Sequence, residues 1–313
     1  MAAAIGRGGA GTSALGEYLT ARRALVQPQD VGIRVNGIRR VAGLRREEVA
    51  MLAGISSDYY LRLEQGRDRH PSVQVLDALA QVLQLDALAT RYLISLAQEQ
   101  PRTAPRRSRE VVPTGIRQLL DVLQQPAFVE GRYLDVLASN SLALALSPNF
   151  AVGGNRLRDF FLDEREKALY VDWDHAAAGI VAGFRALVGA DTSDPRFVQL
   201  VGELSLASEP FRRLWARHDV QLRAGGATRL RHPEVGDLTL RREKLGIGGT
   251  DGLLLVIYHA EPGSETAGLL TLLGSLDASG PREPRATGRR ECPPPEPGGA
   301  ERTAAGSSGT AGR

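Results

Sequence analysis

The chain has a single cysteine, only two lysines and no long apolar run, and each shortage removes a class of function. Cys292 has no partner, so neither an intrachain disulfide nor a cysteine-based metal site can form. No apolar stretch approaches the roughly 20 residues that cross a bilayer, so no membrane association is expected. The opening MAAAIGRGGAGTSA lacks the basic start and apolar core of a signal peptide, and a cytoplasmic location is expected. Catalytic signatures are equally scarce. There is no serine in a nucleophile elbow and no HExxH, and His218-Asp219 and Asp174-His175 are only adjacent pairs. Gly6 and Gly11 echo a phosphate-binding loop, but Thr12 stands where its lysine is needed. Neither catalysis, nor a cofactor, nor a bound metal is expected.

What is present is arginine, unevenly spread. Up to Val112 there are 16 arginines against 11 acidic residues, whereas beyond it 23 basic residues face 25 acidic ones. The basic end holds the most informative stretch, LRREEVAMLAGISSDYYLRLEQGR, residues 44–67. Val49, Leu52 and Ala53 recur at helical spacing, with Glu47 and Glu48 in the first turn where the helix dipole favours anions. Gly54 then suits a left-handed helix end, and Ser56 offers a hydroxyl to cap the next helix. In that helix Tyr60 and Leu63 face inward, which turns Ser57, Asp58, Leu61 and Arg62 outward. Two helices around a tight glycine turn, with the small Ala50 allowing a close crossing, form a helix-turn-helix. The surrounding arginines fit a phosphate-binding rim.

The run RRVAGLRREEVAMLAGISSDYYLRLEQGRDRHPS resembles the DNA-binding domain of an actinobacterial branch of the XRE (Cro/repressor-like) regulators, the MmyB-like family. Ala42 departs from it, standing where that family often has proline. The implied partner is a double-stranded DNA operator, bound by a homodimer. Base reading falls to Ser57, Asp58, Leu61 and Arg62: Arg62 can fork onto guanine, Asp58 can accept from cytosine, and Leu61 can touch a thymine methyl. Arg39, Arg40, Arg45, Arg46, Arg67 and Arg69 are candidates for phosphate contacts. For Asp58 a favourable charge in the first helical turn is the competing reading.

Along the chain, residues 1–12 read as a disordered start, and 13–98 as an all-α five-helix, lambda-repressor-like domain. Its first helix begins near Ser13, its fourth at Pro71-Ser72 and its fifth at Asp86. A Pro- and Arg-rich linker occupies 99–112. The α+β domain expected over 113–276 opens with a hairpin, AFVEGRYLDVLAS, and continues through helical segments at about 156–170, 175–189 and 195–218. Three strands, TRLRHP, GDLTLRREKL and GLLLVIYHA, follow, the last apolar enough for a sheet centre, and then the helix SETAGLLTLLGSL. Residues 277–313 read as a disordered tail.

The segments GRYLDVLASN, LYVDWDH, DPRFVQLVGELSLAS, FRRLWARHDV, RHPEVGDLTL and YHAEPGS resemble the C-terminal ligand-binding domain of the same MmyB-like family, which is PAS-like. Ser139 departs from it, since tryptophan commonly precedes this Asn140. The resemblance implies a sensor for an apolar, fatty-acid-like molecule. Phe211, Leu214, Trp215 and His218 share a helical spacing, and Phe211, Trp215 and His218 are candidates to line its pocket, a hydrogen-bonded core being the alternative for His218. The Ala- and Gly-rich helix DHAAAGIVAGFRALVG either packs closely or leaves room for a ligand. The chain therefore reads as a DNA-binding transcriptional regulator. A helix-turn-helix that serves a partner protein, with DNA secondary, is the alternative.

Overall fold

The computed structural model describes residues 13–34, 39, 41, 43–68, 70–98, 110–189, 194–221 and 227–279. The expectations placed on residues 1–12, on Arg40, Ala42 and Arg69, on 99–109 and on the tail beyond 279, Cys292 included, lie outside the described residues.

Side-chain caps set the helix starts of the N-terminal domain. Ser13 accepts from the Gly16 amide at the head of α1 (Ala14–Leu25). A 3-10 turn, Pro28–Val31, leads towards α2 (Arg46–Leu52). Gly54 takes a left-handed φ of 68°, and Ser56 caps α3 (Ser57–Glu64) through the Tyr59 amide. Ser72 starts α4 (Val73–Val82) and Asp86 starts α5 (Ala87–Ala97). Tyr18, Leu19, Val49, Tyr60, Leu63 and Leu79 are fully buried in one core. Leu52 differs from expectation: α2 ends there, the chain turns, and Leu52 stays 39 % exposed while Ala50 packs inward instead.

The C-terminal domain begins earlier than the sequence pattern indicates. Val112, assigned to the linker, is buried in the same apolar cluster as Leu120, Val129 and Leu255. An unanticipated helix, α6 (Thr114–Val122), follows. β1 (Ala127–Glu130) and β2 (Val136–Ser139) form the expected hairpin. Next come α7 (Ser141–Leu146), α8 (Arg156–Leu162), α9 (Glu164–Leu169), α10 (Trp173–Val188), α11 (Pro195–Ala207) and α12 (Glu209–Ala216). β3 (Ala227–His232), β4 (Gly236–Gly246), β5 (Leu254–His259) and α13 (Glu265–Ser279) complete the chain order. The sheet is antiparallel throughout, in the order β2-β1-β5-β4-β3, so the apolar run LLVIYH occupies its centre. The α+β layout is the one anticipated.

Two helical segments divide where polar side chains restart the helix. Asp163 ends α8 and caps α9 through the Arg165 amide, and Ser208 caps α12 through the Phe211 amide. Because α12 stops at Ala216 and His218 turns left-handed at φ 53°, His218 leaves the face carried by Phe211 and Trp215. The chain beyond it returns to the first domain. Val220 is buried within the N-terminal core, and Arg22 of α1 donates to Asp219 at 2.6 Å.

α1 crosses α3 at Gly16, where an added Cβ would sit 2.2 Å from the Glu64 carbonyl oxygen. Gly16→Ala is expected to cost about 1–3 kcal/mol by overpacking, read as a lowered urea midpoint of the full chain. Gly115→Ala in α6, where a Cβ meets nothing within 4 Å, serves as the control. Equal midpoints for both variants would contradict this crossing.

Candidate DNA interface and ligand cavity

The helix-turn-helix is held by a carboxylate that the sequence analysis does not single out. Glu64 lies on the inward face of α3 with its side chain 2 % exposed. Arg23 of α1 donates to one of its oxygens at 2.7 Å and Arg46 of α2 to the other at 2.5 Å. Arg23 also reaches the Leu44 carbonyl. One acid thereby ties three helices. The available signal was its place one turn after Tyr60, on the buried stripe.

Several candidate phosphate ligands turn out to have structural partners. Arg39 forks onto both oxygens of Glu48, at 2.8 and 2.7 Å, and bonds the Gly43 carbonyl, leaving its side chain 15 % exposed. Glu48 also accepts from the Arg45 amide at the head of α2, and the Arg39 guanidinium holds its carboxyl below the usual range. Arg39 therefore pins the segment before α2 instead of standing free towards a phosphate. Arg46 keeps half its surface exposed despite its bond to Glu64, while Arg45 and Arg67 are exposed at either end of the unit.

On the outward face of α3 the structure brings the base-reading candidates together. Ser57, Asp58 and Arg62 are exposed and Leu61 is half-buried. Arg62 donates to Asp58 one turn earlier, and its guanidinium lies 5.5 Å from the Tyr59 ring centre. A guanine edge would have to compete with that carboxylate for the same fork.

In the C-terminal domain a cavity of about 210 Å³ opens between α10 and strands β3 and β4. Phe160, Tyr170 and Ile180 supply much of its wall, with Arg156, Arg229, Arg242 and His175 as basic groups and Asp172 as the acidic one. A smaller space of about 60 Å³ shares Gly179, Ile180 and Arg242 and continues along α10 to Gly183 and Leu187. The small residues of α10 thus face open space over part of its length. Arg156 begins α8 almost fully buried. It donates to Glu130 at 2.6 Å, and its guanidinium lies 4.9 Å from the Phe128 ring centre. Burial alone would raise the Glu130 carboxyl, but Lys244, at 2.5 Å, and Arg156 hold it below the usual range. Among the described residues the Arg156 Nε has no acceptor.

A second, more apolar cavity of about 360 Å³ lies between α7, α9 and the β3–β4 turn. Its wall includes Glu166 and Asp163. Burial raises the Glu166 carboxyl, which accepts from Ser147 at 2.7 Å.

Phe211, Trp215 and His218 line none of these three spaces. Phe211 is fully buried between Phe161, at 5.2 Å, and Trp215, at 5.7 Å between ring centres. Trp215 lies beneath the Arg185 guanidinium at 3.7 Å. His218 meets Tyr18 of the N-terminal domain at 6.2 Å. Burial and then Arg185 push its imidazole down to about 4, so at neutral pH it accepts from Arg185 at 3.1 Å. Ser139 ends β2 and is absent from the walls of these cavities.

Residues 112–273 match the family described as MmyB-like transcription regulator ligand binding domain, and residues 14–93 match a helix-turn-helix domain. No curated protein matches the chain.

A base-reading role for the outward face of α3 and a phosphate-holding role for Arg67 beyond it predict different responses to substitution. Arg62→Ala should lower affinity for a selected site by about 1–3 kcal/mol while sparing random duplex, whereas Arg67→Ala should weaken both alike. Titration of each variant against both duplexes checks this, and equal losses for the two variants would contradict it.

Proposed function

Because the chain belongs to the MmyB-like transcription regulators, with a helix-turn-helix ahead of their ligand-binding domain, we propose that α3 reads a DNA operator and that the cavity under α10 holds a small apolar molecule with an acidic head. A ligand-regulated transcription regulator is what the two matched domains describe together. Both are regulator domains, which fits a protein without catalysis. In the proposal Ser57, Asp58, Leu61 and Arg62 face the bases, and Arg45, Arg46 and Arg67 face phosphates. Two copies bind two half-sites, since one recognition helix covers a single half-site, and they do so in the cytoplasm.

The observation that carries the ligand class is Arg156. With Arg229 and Arg242 it gives the cavity wall three guanidiniums against the one carboxylate of Asp172, a balance that attracts an acidic head. Behind the arginine, Phe160 and Ile180 offer apolar wall to a fatty-acid-like tail. The two neighbouring spaces under α10, about 210 and 60 Å³, fall below the roughly 300–1,000 Å³ of typical small-molecule pockets. That favours a chain of moderate length over a bulky ring system. The second cavity has a mixed wall, with Asp163 and Glu166 offset by Arg165 and Arg231 among mostly apolar groups, and so suits a neutral apolar ligand better than an acid.

Calorimetric titration of the full chain with decanoate and with methyl decanoate distinguishes the two cavities. The acid is expected to bind about tenfold more tightly than the ester, the worth of one charge-assisted contact. Equal affinities would contradict the arginine anchor, and failure of both to bind would overturn the ligand class.

A further inference from the structure

Helix α10 presents two faces to two different parts of the molecule. Ala176, Gly179, Ile180, Gly183 and Leu187, which share one helical stripe, line the cavity and the smaller space beside it. Arg185 projects from the other side and is only 4 % exposed. It bonds the Trp215 carbonyl at 2.5 Å and His218 Nδ1 at 3.1 Å, and its charge also acts on the Tyr92 hydroxyl of α5. Next to it, Ala186 packs against the N-terminal core. The Gln221 amide donates to the Ala182 carbonyl, so the segment after α12 is strapped along the same helix.

That segment adds to the contact that Arg185 and Ala186 make with the DNA-binding domain. Tyr18 of α1 meets His218 at 6.2 Å and Tyr92 of α5 at 5.3 Å, both edge to face. Arg22 of α1 and Arg217 both reach Asp219, at 2.6 and 2.9 Å. Val220 completes the seam inside the N-terminal core. From α1 the path to α3 is short, through the close crossing at Gly16 and the bond from Arg23 to Glu64. Every link is a packed side chain or a hydrogen bond, and the helix between cavity and seam is sixteen residues long.

We infer that α10 is the element that carries cavity occupancy to the DNA-binding domain, with Arg185 as the joint between them. Filling the space beside Gly179 and Ile180 shifts the cavity face of α10 away from the sheet. The C-terminal half moves with it, because an α-helix bends little over so few turns. Arg185 then displaces the His218 strap against Tyr18 and Tyr92, which changes how firmly α1 and α5 hold α3. Two arrangements of one packed joint, each favoured by one occupancy state, are what a population shift requires. This route rests on the proposed cavity as the ligand site, and its test separates the two.

Hydrogen exchange of the full chain is measured at α1 and α5, with and without decanoate, in the original protein, in Arg185→Lys and in Arg22→Ala. Decanoate should change exchange around Tyr18 and Tyr92 by about threefold or more in the original protein. Both variants should bind decanoate within about twofold of the original yet lose that response, since neither residue lines the cavity. A full response in Arg185→Lys would overturn the route. Ile180→Trp, which fills the cavity from α10 itself, supplies the test without any ligand. It should alter exchange in α1 and α5 by itself and do nothing there once Arg185→Lys is added. If decanoate does not bind but Ile180→Trp acts as described, the ligand class fails and the route stands. If Ile180→Trp leaves α1 and α5 unchanged, the route fails.

Discussion

A carboxylate that stays ionised when buried has to be met by cations, and two such acids, Glu64 and Glu130, fix the geometry of both domains. Glu64 cannot remain inside the helix-turn-helix without Arg23 and Arg46, and their fixed reach sets α1 and α2 against α3. Glu130 imposes the same demand on the sheet, drawing Arg156 from α8 and Lys244 from β4 to one point. Such groups add little net stability, because desolvation consumes much of the attraction, but a partner removed leaves a charge stranded at about 3–5 kcal/mol. Their contribution is to exclude other arrangements. In the first domain this aims the face of α3 that carries Asp58 and Arg62, and in the second it places a guanidinium at the floor of a cavity.

Each domain thereby sets its candidate site against a rigid support. Arg62 rests on Asp58 at an exposed surface. Arg156 is held by Glu130 through one nitrogen, while another lacks an acceptor among the described residues. Between these two sites lies α10, with small residues on its cavity side and Arg185 on its seam side. The two domains share a hydrophobic cluster through Val220 and Ala186, so displacement of one cannot be absorbed by a loose hinge at that seam.

Local signals were legible in the sequence, and pairings across the chain were not. Ser13, Ser56, Ser72 and Asp86 announce their helices because a cap and its amide are only two or three residues apart. The central position of β5 follows from its unbroken apolar run, since both faces of that strand are covered. Arg39 and Arg46 read as free cations because their partners, Glu48 and Glu64, are fixed only by the fold. His218 could be placed on a helical face but not off it, since nothing local demands a left-handed histidine after Ala216. The seam with Tyr18 that results is separated by two hundred residues of sequence. For the cavity, the alanines and glycines of α10 suggested space, but only the sheet opposite shows where that space is closed and where Arg156 enters it.

The measurement that bears most directly on the account is selection of bound sites from a random duplex library by the full chain, repeated at two salt concentrations. The account predicts a pseudo-palindromic motif with a guanine in each half-site, recovered at both concentrations, because Arg62 reads bases while the surrounding arginines hold phosphate. Binding that enriches no sequence and collapses as salt rises would contradict it, leaving the basic domain a phosphate binder alone.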